Sequence, residues 1–206
     1  MTAHSNWTSF ADSPFPWERD ALDFVSAKLP THEPYRAWSL FEFIALDGTV
    51  NEVDLLIFAP YGFFLVEIKS RPGRLTGDAG TWTWESNGRR ISTDNPLKLA
   101  NLKAKKLREL LNQQPAARRG NKVPFIEPLV FLSAPDLQCE LTGTGNLGVC
   151  LRDRDEGRAA DGRVITARPG IMAAIRQRNC PGMQSTTGRA PLDRPTAKIV
   201  ARAIEE

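Results

Sequence analysis

The chain has 206 residues, 41% hydrophobic and 25% charged, with a formal net charge of +3, enough apolar content for a folded core in one domain, or one domain with an appendage, and too much for a disorder-dominated chain. No apolar run approaches the roughly 18–20 residues of a membrane span, and Met1–Trp7 lacks the basic and apolar regions of a leader, so a cytoplasmic protein without membrane partners is expected. The three cysteines, Cys139, Cys150 and Cys180, are widely spaced and far from His4 and His32, which argues against a disulfide framework or a zinc site.

Asp12-Ser13-Pro14 signals a helix start, with Ser or Asp as cap, and a helix is predicted from about Pro16 to Leu29. Glu18, Leu22, Val25 and Leu29 share one stripe, so Glu18 rides the edge of the face that packs inward. An acid there either complements the helix N-terminus or belongs to a site. Tyr35–Leu46 reads as a strand from its aromatic and β-branched residues, and Asp47-Gly48 as the hairpin turn that follows.

Val50–Ser70, VNEVDLLIFAPYGFFLVEIKS, is the most apolar segment, yet it carries Asp54, Glu67 and Lys69. Two β-rich runs, Val50–Phe58 and Phe63–Lys69, flank Ala59-Pro60-Tyr61-Gly62, whose proline and glycine suit a reverse turn. With Phe58 facing Phe63, the register sets Asp54 directly opposite Glu67. Opposed Cβ atoms lie about 4.5–5.5 Å apart, so two carboxylates stand side by side, and alternation adds Lys69 to the face of Glu67. Such a pair repels and costs desolvation energy unless a proton or cation compensates, and a divalent, oxygen-seeking ion is the natural candidate. The plainer alternative is a Glu67–Lys69 pair at the frayed end of an edge strand.

Arg71-Pro72-Gly73 breaks the run, and a small hairpin extension is predicted next, with strands around Trp82–Trp84 and Arg89–Ser92. The two tryptophans either pack or stack on bases. Asp94-Asn95-Pro96 starts a second helix that reaches about Gln113. Leu99, Leu102, Leu107, Leu110 and Leu111, with Ala100 and Ala104, form its apolar face, while Lys98, Lys105 and Arg108 point away. Lys103 falls inside the apolar stripe, where it either snorkels to solvent or reaches toward whatever the core face borders. Gln114–Lys122 reads as a loop. Val123–Ser133 is a buried strand whose Leu129–Leu132 stretch expects cover on both faces, and Leu147–Leu151 adds another strand. Residues 152–170 lack periodicity, and short helices are predicted at Gly170–Arg178 and Thr196–Ile204.

Charge is strongly polarised. Residues 1–60 hold nine acids against three bases, whereas Lys98–Lys122 holds eight bases against one acid. Lys98, Lys103, Lys105, Lys106, Arg118, Arg119 and Lys122 therefore form a candidate nucleic-acid-binding set, unless the run is only a solvated helix face.

Helix with Glu18, three-stranded meander, Asp54, then Glu67-Ile68-Lys69, helix and strand: this order resembles the restriction-endonuclease-like core of the PD-(D/E)XK nucleases, an α/β fold. The resemblance is closer to the nuclease-related domain, NERD, through VDLLIFAPYGFFLVEIKSRPGRLTGD, the Trp-containing segment after it and Asn95-Pro96, over roughly Phe15–Ser133. With Leu-Ala-Asn-Leu-Lys-Ala-Lys at Leu99–Lys105, it is similar to the N-terminal region of the protein kinase of phage-growth-limitation (BREX-type) defence systems. Two positions depart from the family: Leu99 and Lys103 stand where it often has Gln and His. The resemblance implies a Mg²⁺- or Mn²⁺-dependent nuclease acting on DNA. Asp54, Glu67 and the Ile68 carbonyl would bind metal, Glu18 would assist, and Lys69 would orient the attacking water. It further implies residues 1–151 as the nuclease-related domain, 152–206 as a partly helical C-terminal extension linking to a downstream kinase domain, and other defence-system proteins as partners. No kinase signature occurs in the chain.

Overall fold

The computed structural model describes residues 6–119, 122–158 and 160–205; His4 and part of the 114–122 stretch lie outside them. The elements run β1 (Trp7–Ser9), α1 (Pro16–Lys28), β2 (Arg36–Ile44), β3 (Val50–Ala59), β4 (Gly62–Lys69), β5 (Arg74–Gly77), β6 (Thr81–Ser86), β7 (Arg89–Asp94), α2 (Pro96–Gln113), α3 (Pro115–Arg119), β8 (Ile126–Leu132), β9 (Gln138–Leu141), β10 (Val149–Leu151), α4 (Ile171–Gln177) and α5 (Arg194–Glu205). The fold is mixed α/β. Its main sheet has six strands in the order β1-β2-β3-β4-β8-β10, and β7-β6-β5-β9 form a second sheet. The meander β2-β3-β4 is antiparallel, while β8 joins β4 in parallel and β10 joins β8 in parallel. Among the described residues no helix is long and apolar enough to cross a membrane.

Alternation along β3 and β4 sends successive side chains to opposite faces, and both faces are covered. Leu55, Ile57, Phe64 and Val66 pack with Ala21, Leu22 and Val25 of α1 and with Ile171 and Ile175 of α4. Leu56, Phe58, Phe63 and Leu65 pack with Ala100, Ala104, Leu107 and Leu111 of α2 and with Ala197 and Val200 of α5. Leu129–Leu132 is fully buried because Leu129 and Phe131 face the α1–α4 cluster while Val130 and Leu132 face the second sheet, so that one of its two faces is covered by strands, where helices on both were expected. Trp82 and Trp84 pack in a third cluster with Leu75, Val130 and Leu132, so they serve as core.

The C-terminal stretch is tied down by charge as well as by packing. Asp153 accepts hydrogen bonds from the backbone N–H groups of Gly170, Met172 and Ala173 at 2.8–3.0 Å, satisfying the first turn of α4. Buried Arg178 donates to both carboxylate oxygens of Glu127 and to the Tyr61 carbonyl. Cys150 and Cys180, distant in sequence, lie with their Sγ atoms 3.4 Å apart as free thiols.

The structure corrects three local expectations and adds one strand. The N-cap of α1 is Phe15, which has no capping side chain; Ser13 Oγ instead accepts from the Phe15 N–H at 3.1 Å. Within the expected loop, α3 forms because Pro115 suits a first helical position and Ala117 buries against α5. Strand β1, too short for a periodic signal, adds a parallel edge to β2. Finally, the apolar stripe of α2 is wider than its buried face. At about 100° per residue, Leu99 and Leu102 fall on the flank beyond Lys103, and they are 52% and 48% exposed.

Candidate active site

The β3–β4 hairpin has the expected register: Ala59 pairs with Gly62, Phe58 with Phe63, and the ladder continues to Leu55 with Val66. Gly62 is required at the turn, since a Cβ there would meet the buried Phe64 ring at 2.2 Å. Asp54 and Glu67 stand one step past the last pair. By the alternation of antiparallel ladders, the next hydrogen-bonded pair would be Val53 with Ile68. Instead, Asp54 Oδ2 accepts from the Ile68 N–H at 2.7 Å. The carboxylate replaces a β3 carbonyl, and the two strands part where the acids meet.

The other neighbour of Asp54 is also perturbed. Strands β2 and β3 pair on both sides of this point, Ser39 with Leu55 and Phe41 with Val53, but Leu40, which would face Asp54, has φ of 56° and drops out of the ladder. A non-glycine residue in the left-handed region costs on the order of 1–3 kcal/mol and persists only where its surroundings enforce it. Distortion on both sides of one strand aspartate makes this position a candidate site.

Glu67 is buried, and each of its oxygens meets a different ammonium group: Oε1 accepts from Lys69 Nζ at 2.8 Å and Oε2 from Lys103 Nζ at 2.9 Å. Lys103, only 8% exposed, therefore reaches from α2 into the site. Burial works to raise the Glu67 carboxyl, but Lys69 and Lys103 outweigh it and hold Glu67 below its ordinary range. Asp54 behaves oppositely. Burial first, and then the charge of Glu67, push its carboxyl up to about 7, against the pull of the Ile68 N–H and the two lysines. The two acids are thus driven apart in acidity by their surroundings.

Glu67, Ile68, Lys69 and Glu18 wall a cleft of about 1060 Å³, together with Phe15, Trp17, Arg71, Trp84, Asn95, Lys98, Leu99 and Leu102. Half-buried Asp54 does not line the cleft itself; it stands behind the wall, accepting from the N–H of the wall residue Ile68. Glu18 is oriented by Ser13, whose hydroxyl donates to Glu18 Oε2. Asn95 organises the cleft edge: its Oδ1 caps α2 by accepting from the Leu97 N–H at 2.9 Å, and its backbone N–H bonds the Gly80 carbonyl.

The basic run divides. Lys98, Lys105, Arg118, Arg119 and Lys122 are exposed, with Lys98 on the cleft wall. Lys106 instead pairs with Asp47 at 2.8 Å and donates to Thr49 Oγ1, tying α2 to the β2–β3 turn. Lys103 is separate from this surface, because its helical position faces the sheet and Glu67 draws its charge inward. Reading the sequence missed Phe15 and Trp17, whose rings stack on each other at 5.1 Å and 20° at the cleft mouth. Two large aromatics at the head of the helix beside Glu18, with Trp17 off the Leu22–Val25–Leu29 stripe, were the available signal.

The model of the nuclease-related domain matches residues 13–133, the span holding every one of these groups except the C-terminal helices that back the sheet. Over 114 residues the chain is 46% identical to the probable kinase PglW of Streptomyces coelicolor, a match covering 55% of this chain and 7% of that protein, in its N-terminal region. No solved structure matches. With the family model spanning more than half of the sequence and coinciding with the carboxylate–lysine site, the chain belongs to the nuclease-related domain family.

Proposed function

We propose that the chain is a metal-dependent phosphodiesterase module acting on nucleic acid, DNA foremost, in cytoplasmic anti-phage defence. The observation that carries this reading is Glu67 on a cleft wall, bracketed by two ammonium groups, with Asp54 opposite it at a broken ladder. The element order of helix, antiparallel meander, helix and strand supports a restriction-endonuclease-like core.

Asp54, Glu67 and the Ile68 carbonyl would hold Mg²⁺ or Mn²⁺, which favour hard oxygen donors. The donor set fits such an ion in kind, two carboxylates and a carbonyl being hard oxygen donors, and the Glu67 charge works, after burial, to raise the Asp54 carboxyl beside it. Among the described residues no group of three His, Cys, Asp or Glu side chains is arranged for a metal, so the chain's share of the ligand set would be the two carboxylates and the Ile68 carbonyl, with water completing the shell. When bound, the ion supplies Lewis-acid polarisation of the scissile phosphate. The remaining work falls to the chain. Lys69, 41% exposed along its side chain, orients the attacking water and stabilises charge developing on the phosphoryl oxygens. Glu18, fixed by Ser13, accepts a hydrogen bond from water on the same wall. Lys103 keeps Glu67 ionised and aimed. Exposed Lys98, Lys105, Arg118, Arg119 and Lys122 supply counter-charge for the phosphate backbone. A downstream kinase domain and other defence-system proteins are the partners this reading expects, in line with the large relative it matches.

A second reading, a non-cleaving nucleic-acid-binding or regulatory module, is favoured by Lys103: two ammonium groups already neutralise two carboxylates without any ion. Titrating Mg²⁺ and Mn²⁺ into labelled DNA with wild type beside Glu67→Ala separates the two. Metal-dependent products lost in the variant support the nuclease, and intact DNA with retained binding supports the module.

A further inference from the structure

Four large apolar side chains line the cleft without contributing to any of the three core clusters. Phe15, the N-cap of α1, and Trp17, on its first turn, are 48% and 54% exposed, while the buried stripe of the helix begins only at Ala21; Leu99 and Leu102 border the same cleft from α2. The core does not account for this placement. On the remaining edge, the Arg71 guanidinium lies over the Trp84 ring at 5.8 Å, a cation–π contact that fixes a positive charge at the rim. Lys69 and Lys98 wall the same space. One cleft thus combines stacked aromatic rings, an apolar wall and three cations beside the carboxylates.

We infer that this cleft takes single-stranded nucleic acid, with an unpaired base stacked on the Phe15–Trp17 pair and its phosphates directed to Arg71, Lys98 and Lys69. The inference rests on the nucleic-acid reading above and narrows its substrate class. A base offers its π-face only when unpaired, because a duplex keeps both faces covered by neighbouring pairs; an aromatic platform at the reacting groups therefore selects against an intact duplex. The exposed lysines and arginines do not discriminate, since single and double strands both present phosphates. Discrimination falls to the rings.

The test uses the whole 206-residue chain in EDTA, so that no turnover intervenes. Fluorescence anisotropy compares a labelled oligothymidylate with a duplex of equal length, for wild type, Trp17→Ala and Phe15→Ala; sedimentation of the same samples reports self-association. The expected result is tighter binding of the single strand. It should weaken about tenfold in Trp17→Ala, the scale of one base–aromatic stack, with duplex binding unchanged. Both rings are exposed, so circular dichroism of the variants should match wild type. Equal or tighter duplex binding, or a single-strand affinity indifferent to both substitutions, overturns the inference while leaving nucleic-acid recognition in place. Binding to neither form overturns both. A wild-type dimer that Trp17→Ala dissolves assigns the rings to a second copy of the chain and likewise overturns it.

Discussion

Replacing Lys103 by methionine removes the one buried ammonium group of the site while keeping most of its stem. Its pair with Glu67 is nearly dry, the two side chains being 10% and 9% exposed at 2.9 Å. Breaking a buried pair from one side costs about 3–5 kcal/mol, because the abandoned charge stays desolvated. Here Lys69 still holds Oε1 at 2.8 Å, so the lower end, about 3 kcal/mol, is expected. The same change frees Oε2 for a metal ion. Added Mg²⁺ should therefore stabilise Lys103→Met more than wild type, reaching about 2.7 kcal/mol in the variant at a hundredfold excess over the variant's own Kd. Urea unfolding of both proteins, in EDTA and across a Mg²⁺ series, reads this directly. A variant as stable as wild type in EDTA, or one that gains no more than wild type from Mg²⁺, would refute the view that Lys103 occupies a coordination position of Glu67.

Lys69→Ala should behave differently, lowering stability by no more than about 1 kcal/mol because its side chain is substantially exposed, sparing metal binding and abolishing single-turnover cleavage; near-normal rates would remove Lys69 from the chemistry. In metal-free protein the Asp54 carboxyl, raised from its usual 3.8 to about 7, binds a proton in the folded state that the unfolded chain has lost, so its contribution to stability falls as pH rises through that window. Asp54→Asn, which keeps an acceptor for the Ile68 N–H, should match wild type near pH 4 and grow relatively more stable up to about pH 7; parallel urea midpoints across the range would contradict this. Neutralising Arg118, Arg119 and Lys122 together should weaken DNA binding and flatten its salt dependence by about 0.9 per lost phosphate contact, and an unchanged slope in anisotropy titrations would make them a solvated face.

The hairpin was legible because it is governed by local rules. Pro60 and Gly62 fix the turn, period-two alternation fixes the faces, and together they align Asp54 with Glu67 before any tertiary contact is known. The ladder's break at Ile68 was not legible, for it depends on a side chain displacing a backbone acceptor. Nor was the left-handed Leu40, a residue whose type gives no hint of positive φ. On α2 the apolar stripe was readable, but its width exceeds the part facing the sheet, so periodicity counted Leu99 and Leu102 as core when they border the cleft. Lys103 was correctly placed within the stripe, while its partner lies 36 residues earlier in sequence and only folding brings the two together. The same holds for Cys150 beside Cys180 and for Arg178 on Glu127. Long-range pairings of this kind leave no periodic trace.

The central claim, that Asp54 and Glu67 form a metal-dependent phosphodiester-cleaving site, is tested most directly by incubating end-labelled single-stranded and duplex DNA with folded wild type and Glu67→Gln protein across Mg²⁺ and Mn²⁺ titrations. The account predicts products that appear with metal, vanish with EDTA and are absent in Glu67→Gln; DNA left intact by wild type at every metal concentration, or cut equally well by the variant, would contradict it.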